Sequence, residues 1–240
     1  MKSKNPELSV ILPCRNEEAA LGSCITQIKK TIKRHNINAE IIVSDSSTDS
    51  SPKIAKQHKV KLIRHNKEGY GIACLEGFKH TKGKYIFIAD ADGSYDFNEI
   101  PKFLNQLKDG HDLIIGNRFK GKIEKKAMPF HHRYIGNPAL SFILRIFFKT
   151  KVHDIHSGMR AISQKVLKKL NLKTTGMEFA SEMIIQAAKK NIKIKEVPIN
   201  YYRRLGTSKL KSFSDGWRHL KFMLTIPKIK NGYNKEIKNK

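Results

Sequence analysis

The chain has 240 residues, of which 39% are hydrophobic and 8% aromatic, so it can bury a core and is not wholly disordered. It carries 47 Lys and Arg residues against 21 Asp and Glu residues. The formal net charge of +26 favours an anionic partner such as nucleic acid, an acidic membrane surface or a phosphorylated substrate. Three cysteines are too few for a disulfide scaffold, and we expect a reducing, cytoplasmic setting.

In the first half of the chain, short Ile- and Val-rich runs alternate with amphipathic segments. The predicted strands are 8–12, 40–44, 60–64, 84–89 and 112–116, and the predicted helices between them are 17–33, 50–57, 71–80 and 97–107. Strands that alternate with helices of this length indicate an α/β protein. We expect a mostly parallel central sheet flanked by helices on both faces.

The second half has a different pattern and a strongly basic end. It predicts an apolar helix over 138–148, a loop over 153–160, a helix over 177–190, a strand over 194–202 and an amphipathic helix over 213–224. No Gly/Ser-rich linker separates the halves, so we expect one domain over 1–224 and a basic polar tail over 225–240. The longest apolar stretch, 138–148, contains Arg145 and is shorter than the about 20 residues of a membrane span, so no transmembrane segment is predicted.

Two acidic residues directly follow the fourth predicted strand. Asp90 and Asp92 are two positions apart, and alternate residues of an extended chain point the same way. In open α/β sheets, ligands bind at the carboxyl ends of the strands. The pair can therefore hold one hard cation that bridges to a diphosphate. The simpler alternative is a loop whose aspartates are solvated or cap a helix.

The same segment, Asp90 to Ser94, also resembles the nucleophile loop of haloacid-dehalogenase-type phosphatases. That family places the loop on its first strand and needs a later acidic pair for magnesium. Here the segment follows the fourth predicted strand and no such pair follows it, so this interpretation is disfavoured.

Further segments carry a more specific resemblance. Together with the acidic pair, segments 12–18, 44–49 and 65–73 resemble the nucleotide-sugar half of family 2 glycosyltransferases with the GT-A fold. Segments 116–118, 154–160, 176–182 and 202–210 resemble polyprenyl-phosphate glycosyltransferases of the dolichol-phosphate mannose synthase type. The resemblance covers about residues 7–224, and it implies the GT-A fold for this chain.

The resemblance also implies roles for individual residues. It places nucleotide-sugar binding at Pro13, Arg15, Glu17, Asp45, Asp90, Ala91, Arg203 and Lys209. It places a divalent cation, Mg²⁺ or Mn²⁺, at Asp90, Asp92 and Ser94. It places the acceptor phosphate at Arg118, Arg133 and Asn137, and the catalytic roles at Asp92, Arg118 and Arg203. Turn formation or helix capping is the alternative role for Asp45, and solvent exposure is the alternative for Arg118 and Arg133.

The implied activity is an inverting transfer of a sugar from a GDP- or UDP-sugar to a polyprenyl phosphate, dolichyl or undecaprenyl. An acceptor phosphate is already ionised at neutral pH, so a strong general base is dispensable. The alternative is a family 2 glycosyltransferase with a soluble or glycan hydroxyl acceptor, which would need a catalytic carboxylate, for which Glu178 is the candidate.

Other classes are disfavoured by missing motifs, and the basic amphipathic helix predicted over 213–224 suits an anionic membrane surface. There is no zinc-finger spacing or RNA-binding aromatic motif, so no nucleic-acid partner is expected. The first strand is not followed by the glycine fingerprint of dinucleotide-binding oxidoreductases. We expect peripheral contact with an anionic membrane on its cytoplasmic face, through segment 213–224, segment 138–148 or a partner protein.

Overall fold

The computed structural model describes residues 5–207 and 212–226, with side chains from residue 216 onward in the second range. The predicted site residue Lys209, the side chain of Phe213 and the tail from residue 227 lie outside the described residues. Within the described ranges, no helix combines the length and the apolar character that crossing a bilayer requires.

The described residues form one mixed sheet of seven strands, which run in the order β3-β2-β1-β4-β6-β5-β7 across the sheet. The strands are β1 (Leu8–Cys14), β2 (Ala39–Asp45), β3 (Lys61–Arg64), β4 (Tyr85–Ile88), β5 (Leu113–Asn117), β6 (Arg160–Ser163) and β7 (Ile194–Pro198). All run parallel except β6, which is antiparallel to both of its neighbours, β4 and β5. The predicted, mostly parallel sheet is therefore confirmed.

Helices cover both faces of this sheet. They are α1 (Leu21–Arg34), α2 (Ser51–Gln57), α3 (Tyr70–Phe78), α4 (Ile100–Lys108), α5 (Asn137–Phe148), α6 (Gln164–Leu170), α7 (Phe179–Lys189) and α8 (Ser212–Thr225). Val10 and Leu12 of β1 pack with α1, α2 and α4 on one face, whereas Ile11 packs with α3 and α5–α8 on the other. Because side chains alternate along a strand, both faces of β1 are apolar, as the Ile- and Val-rich sequence indicates.

Two elements of the structure, β6 and α6, are not predicted by the residue pattern. β6 has four residues and begins with a charged side chain, so it has neither the length nor the apolar run by which a strand is recognised. It exists because it fills the gap between β4 and β5, pairing with residues of both. Because it is antiparallel, β6 begins at Arg160, opposite the last residue of β4, so the loop before it lies at the edge of the sheet where the parallel strands end.

Arg160, the first residue of β6, anchors the loop that precedes the strand. Its side chain is 2% exposed and donates hydrogen bonds to the backbone oxygens of Ile155, Ser157 and Ala180 at 2.7 to 2.8 Å. The planar guanidinium can reach three carbonyls at once, which an ammonium group on a flexible stem cannot do with the same geometry. Arg160 thereby fixes the 155–157 loop against α7.

We expect Arg160→Lys to lower the free energy of unfolding by about 2–4 kcal/mol, because at least one buried carbonyl loses its donor. Urea denaturation measures the change. Arg34→Lys, at an exposed position in the last turn of α1, is the matched control and should leave the midpoint unchanged. Equal midpoints for the two variants would contradict the anchoring role of Arg160.

Candidate active site

A cavity of about 770 Å³ opens at the carboxyl ends of β1 and β4. Loops that follow β1, β4, β5 and β7 contribute to its wall, together with the loop before β6 and with α8. Seven of the residues that the sequence analysis assigned to a site line it: Pro13, Arg15, Glu17, Asp90, Ala91, Asp92 and Arg118. The carboxyl edge of the sheet is thus where these side chains meet.

The acidic pair lies in this wall. Asp92 is 6% exposed, and its Oδ1 accepts hydrogen bonds from the backbone N and the hydroxyl of Ser94 at 2.9 and 2.5 Å. Asp90 accepts no side-chain hydrogen bond from any other residue in the described part of the chain. Burial and the neighbouring Asp92 carboxylate both raise the pKa of Asp90. Arg204 and Arg118 act in the opposite direction and lower the pKa of Asp90, but burial and Asp92 outweigh them.

Gly158 is required beside the acidic pair. A Cβ atom at this position would lie 2.5 Å from Oδ2 of Asp90, so any larger residue would displace the carboxylate. The loop before β6 can approach Asp90 only because Gly158 has no side chain.

The donor set fits a hard divalent cation such as Mg²⁺ or Mn²⁺, which both prefer carboxylate oxygens. The described residues contain no group of three or more His, Cys, Asp and Glu side chains that could hold a metal. A cation at Asp90 and Asp92 would therefore draw its remaining ligands from water and from the phosphates of a bound substrate. Ser94 is completely buried and donates its hydroxyl to Asp92, so the structure gives it the part of orienting that carboxylate.

The structure brings Arg204, instead of the predicted Arg203, into the cavity wall. The Arg204 guanidinium lies 3.5 Å from Oδ2 of Asp92 and 3.3 Å from Oε1 of Glu17. The loop that carries it is bonded to the acidic segment, since the backbone N of Leu205 donates to the oxygen of Asp92 at 2.8 Å. Arg203 is exposed, and its backbone N donates to Glu124 at 2.8 Å.

Two further predicted donor-site residues are already paired with other side chains. Asp45 is fully buried, forms an ion pair with Arg64 and accepts a hydrogen bond from the hydroxyl of Ser47, and it is not part of the cavity wall. Arg15 does line the cavity, where it forms an ion pair with the exposed carboxylate of Glu68. The Arg15 side chain therefore has an acidic partner that a bound nucleotide would have to replace or accommodate.

Arg118 is the one predicted acceptor-site residue that lines the cavity. Its buried guanidinium donates two hydrogen bonds to Asp154, at 2.8 and 2.7 Å, and lies 5.1 Å from the centre of the Tyr201 ring. This pairing fixes the orientation of Arg118 while leaving part of its surface towards the cavity.

The other two acceptor-site predictions lie outside the cavity wall. Arg133 is in a π-helical turn, His132–Gly136, where its guanidinium lies 5.3 Å from the centre of the Tyr134 ring. The Asn137 amide is 3.6 Å from the sulfur of Met128. Pro138 in the first turn of α5 has no backbone N–H, which accounts for the widened turn just before it.

The structure adds residues to the wall that the sequence analysis did not assign to a site. His156 and Ser157 come from the loop before β6, and Arg218 comes from α8, where its guanidinium lies 3.1 Å from Oε1 of Glu178. From the sequence, residue 218 is placed only within the amphipathic helix predicted over 213–224. Sequence spacing gave no signal that residue 218 would reach the same cavity as residue 90.

Comparisons with known proteins identify the class. The family model "Glycosyl transferase family 2" matches residues 9–171, and the chain belongs to this family. Low-salt glycan biosynthesis hexosyltransferase Agl6 of Haloferax volcanii is 44% identical over 220 residues, which cover 91% of this chain and 53% of Agl6. This chain therefore spans about half the length of that relative.

Two further comparisons bear on the activity and the fold. Dolichyl-phosphate hexose transferase of Haloferax volcanii is 31% identical over 211 residues, covering 88% of this chain and 89% of the relative. Glucosyl-3-phosphoglycerate synthase of Mycobacterium tuberculosis, solved with Mn²⁺, uridine diphosphate and glucosyl-3-phosphoglycerate, superposes with a TM-score of 0.73 at 20% identity, covering 91% of this chain and 79% of that one. The chain is thus a glycosyltransferase, and the expected GT-A fold is confirmed.

Because Arg204 contacts Asp92 and Glu17 whereas Arg203 is exposed, the two adjacent arginines should differ in their effect on glycosyl transfer. We expect Arg204→Gln to lower kcat/KM by about tenfold or more, since a charge-assisted contact in the cavity is lost. Arg203→Gln is the matched control and should stay within about twofold of the wild type. The release of nucleoside diphosphate from a sugar donor gives kcat/KM for both variants. A larger decrease of kcat/KM in Arg203→Gln than in Arg204→Gln would contradict the structural assignment.

Proposed function

We propose that this glycosyltransferase moves a hexose, with inversion, from a GDP- or UDP-sugar to a polyprenyl phosphate at a membrane surface. The observation that carries the proposal is that one cavity contains both the acidic pair and the guanidinium groups of Arg118 and Arg204. Carboxylates that can hold a divalent cation lie beside cationic groups suited to phosphate oxygens. A reaction with one phosphorylated donor and one phosphorylated acceptor needs both kinds of group.

For the donor, the proposal assigns Asp90 and Asp92 to the cation and the diphosphate. A divalent cation held there would neutralise charge on the leaving diphosphate. Arg204 lies against Asp92 and would contact the same diphosphate oxygens once a donor is bound. A solved glycosyltransferase of the same fold binds Mn²⁺ and uridine diphosphate, which supports this assignment.

For the acceptor, the proposal assigns the phosphate to Arg118. An oxygen of the acceptor phosphate attacks the anomeric carbon, the bond from that carbon to the donor diphosphate breaks, and the nucleoside diphosphate leaves. Asp154 holds the Arg118 guanidinium in one orientation, so little conformational freedom is lost when a phosphate binds. The name of the dolichyl-phosphate hexose transferase relative supports a lipid phosphate as the acceptor.

An exposed apolar face supports the membrane part of the proposal. Phe142 and Ile146 of α5 are 54% and 57% exposed and lie four residues apart, on one side of the helix. The preceding turn adds the exposed Phe130, Tyr134 and Ile135. Arg133 and Arg145 lie among these residues, and this combination of apolar and basic side chains is typical of a helix that rests in an anionic headgroup layer.

α8 packs against α5 and has exposed apolar residues of its own. Trp217 is 64% exposed and Leu224 is 53% exposed, whereas His219 and Met223 are buried. Trp217 and Leu224 thus point away from the core, and Leu220 is half-buried. We further propose that residues 1–224 are the catalytic domain and that the lysine-rich residues 225–240 add positive charge at the same surface.

The reaction is tested with a panel of GDP- and UDP-hexoses, Mn²⁺ and either a polyprenyl phosphate or a soluble hydroxyl acceptor. We expect product only with the polyprenyl phosphate, and no product after EDTA is added. The rate of product formation should fall by about a hundredfold or more in Asp92→Ala. Asp109→Ala removes an exposed acidic residue outside the cavity wall and serves as the control. Transfer to the hydroxyl acceptor alone would overturn the acceptor assignment, and Glu178 would then be the candidate base.

Membrane contact is tested by co-sedimentation with vesicles that contain phosphatidylglycerol. Changing Phe142 and Ile146 together to Ser should reduce binding about tenfold or more, because two apolar side chains no longer enter the headgroup layer. A double change of Lys30 and Lys33 to Ser, on exposed positions of α1, removes charge elsewhere and should have a smaller effect. Binding that is insensitive to Phe142, to Ile146 and to anionic lipid would exclude this face as the contact.

A further inference from the structure

Polar atoms without partners are concentrated in one part of the cavity wall. Both ring nitrogens of His156 and the hydroxyl of Ser157 are buried and have no hydrogen-bond partner among the described residues. Both residues line the cavity, and Ser157 is completely buried. Buried polar atoms are nearly always hydrogen-bonded, so atoms left unpaired beside a cavity indicate a ligand that pairs with them.

The two side chains are held in place next to the acidic pair. The His156 ring packs at 90° against the His219 ring of α8, with 4.4 Å between ring centres. His219 is itself hydrogen-bonded to Ser181 at 2.7 Å. Ser157 directly precedes Gly158, the residue whose missing side chain gives room to Asp90. The unpaired atoms therefore lie in the wall beside the carboxylates, on a loop that Arg160 fixes.

The chemistry of these atoms favours a ligand group that can both donate and accept hydrogen bonds. Burial, together with His219 and Arg118, holds the pKa of His156 well below its usual range, so the ring is neutral and has one donor and one acceptor nitrogen. Oε2 of Glu178 is buried next to Gly176 and is a further acceptor that has no partner within residues 5–207 and 216–226. Ionised phosphate has no donor to offer these acceptors, whereas a hydroxyl group both donates and accepts.

The cavity already has separate groups for phosphate. Arg118, Arg204 and Arg218 all line it and carry only donors. The unpaired neutral groups on the 156–157 loop therefore match a different part of a substrate, one that is rich in hydroxyl groups.

We propose that His156 and Ser157 bind hydroxyl groups of the hexose that is transferred. The inference rests on the proposed function, because it assumes a nucleotide-diphospho-hexose as the donor. It adds that the sugar lies against the loop before β6, between the acidic pair and α8. Neither residue contributes to binding of the nucleoside diphosphate itself.

The test compares binding of a nucleoside diphosphate with binding of its sugar derivative by calorimetry, in the presence of Mn²⁺. The pairs are UDP with UDP-glucose and GDP with GDP-mannose. Ser157→Ala removes one unpaired hydroxyl, and His156→Phe keeps a ring against His219 but removes both nitrogens. We expect each variant to bind the sugar nucleotide about three- to tenfold more weakly and the bare nucleotide with wild-type affinity.

Thr31→Val removes a buried hydroxyl of α1 outside the cavity wall and should change neither affinity. Urea denaturation should show that Ser157→Ala is as stable as the wild type, since its hydroxyl has no partner to lose. Wild-type affinity of both variants for the sugar nucleotide, or equal loss for the two ligands of a pair, would overturn the hexose assignment alone. A wild-type protein that binds none of the four ligands would overturn the proposed function, and the hexose assignment with it.

Discussion

Two carboxylates two residues apart at the end of a buried strand repel one another, and the rest of the site is organised around that repulsion. Asp92 is almost fully buried, and burial together with Asp92 raises the pKa of Asp90, so the pair needs positive charge nearby. Arg204 supplies part of it from the loop after β7. A divalent cation would supply more, and the proposal of a metal-dependent reaction rests on this acidic pair in a chain of net charge +26.

The sequence predicted the parallel half of the fold because that half follows simple rules. Strands buried on both faces are apolar throughout, and the helices between them have one apolar stripe, so β1 to β5 and α1 to α4 are visible in the residue pattern. β6 obeys neither rule. It is short and begins with Arg160, whose guanidinium donates to two carbonyls of the loop just before it and to the carbonyl of Ala180 in α7. Only tertiary contacts explain why a charged residue starts a central strand.

Site residues could be predicted where their position at the end of a strand places them in the cavity wall. They could not be predicted where a side chain has more than one partner within reach. Asp90 and Asp92 follow directly from the end of β4, and both line the cavity. Arg203 and Arg204 are adjacent, and consecutive residues of an extended segment point to opposite sides, so the choice depends on where the loop packs. Asp45 lies at the carboxyl end of β2, but its carboxylate forms an ion pair with Arg64, nineteen residues further along the chain.

α8 connects two parts of the molecule that the proposals treat separately. Successive residues of a helix point about 100° apart, so three consecutive positions of α8 face three different surroundings. Trp217 is exposed on the apolar face, Arg218 lines the cavity, and His219 packs against His156. If α8 rests on a lipid surface through Trp217, it would therefore also fix the Arg218 guanidinium in the cavity wall and the His219 ring against His156. Contact with a membrane and completion of the cavity wall would then be a single event, because one short helix carries both.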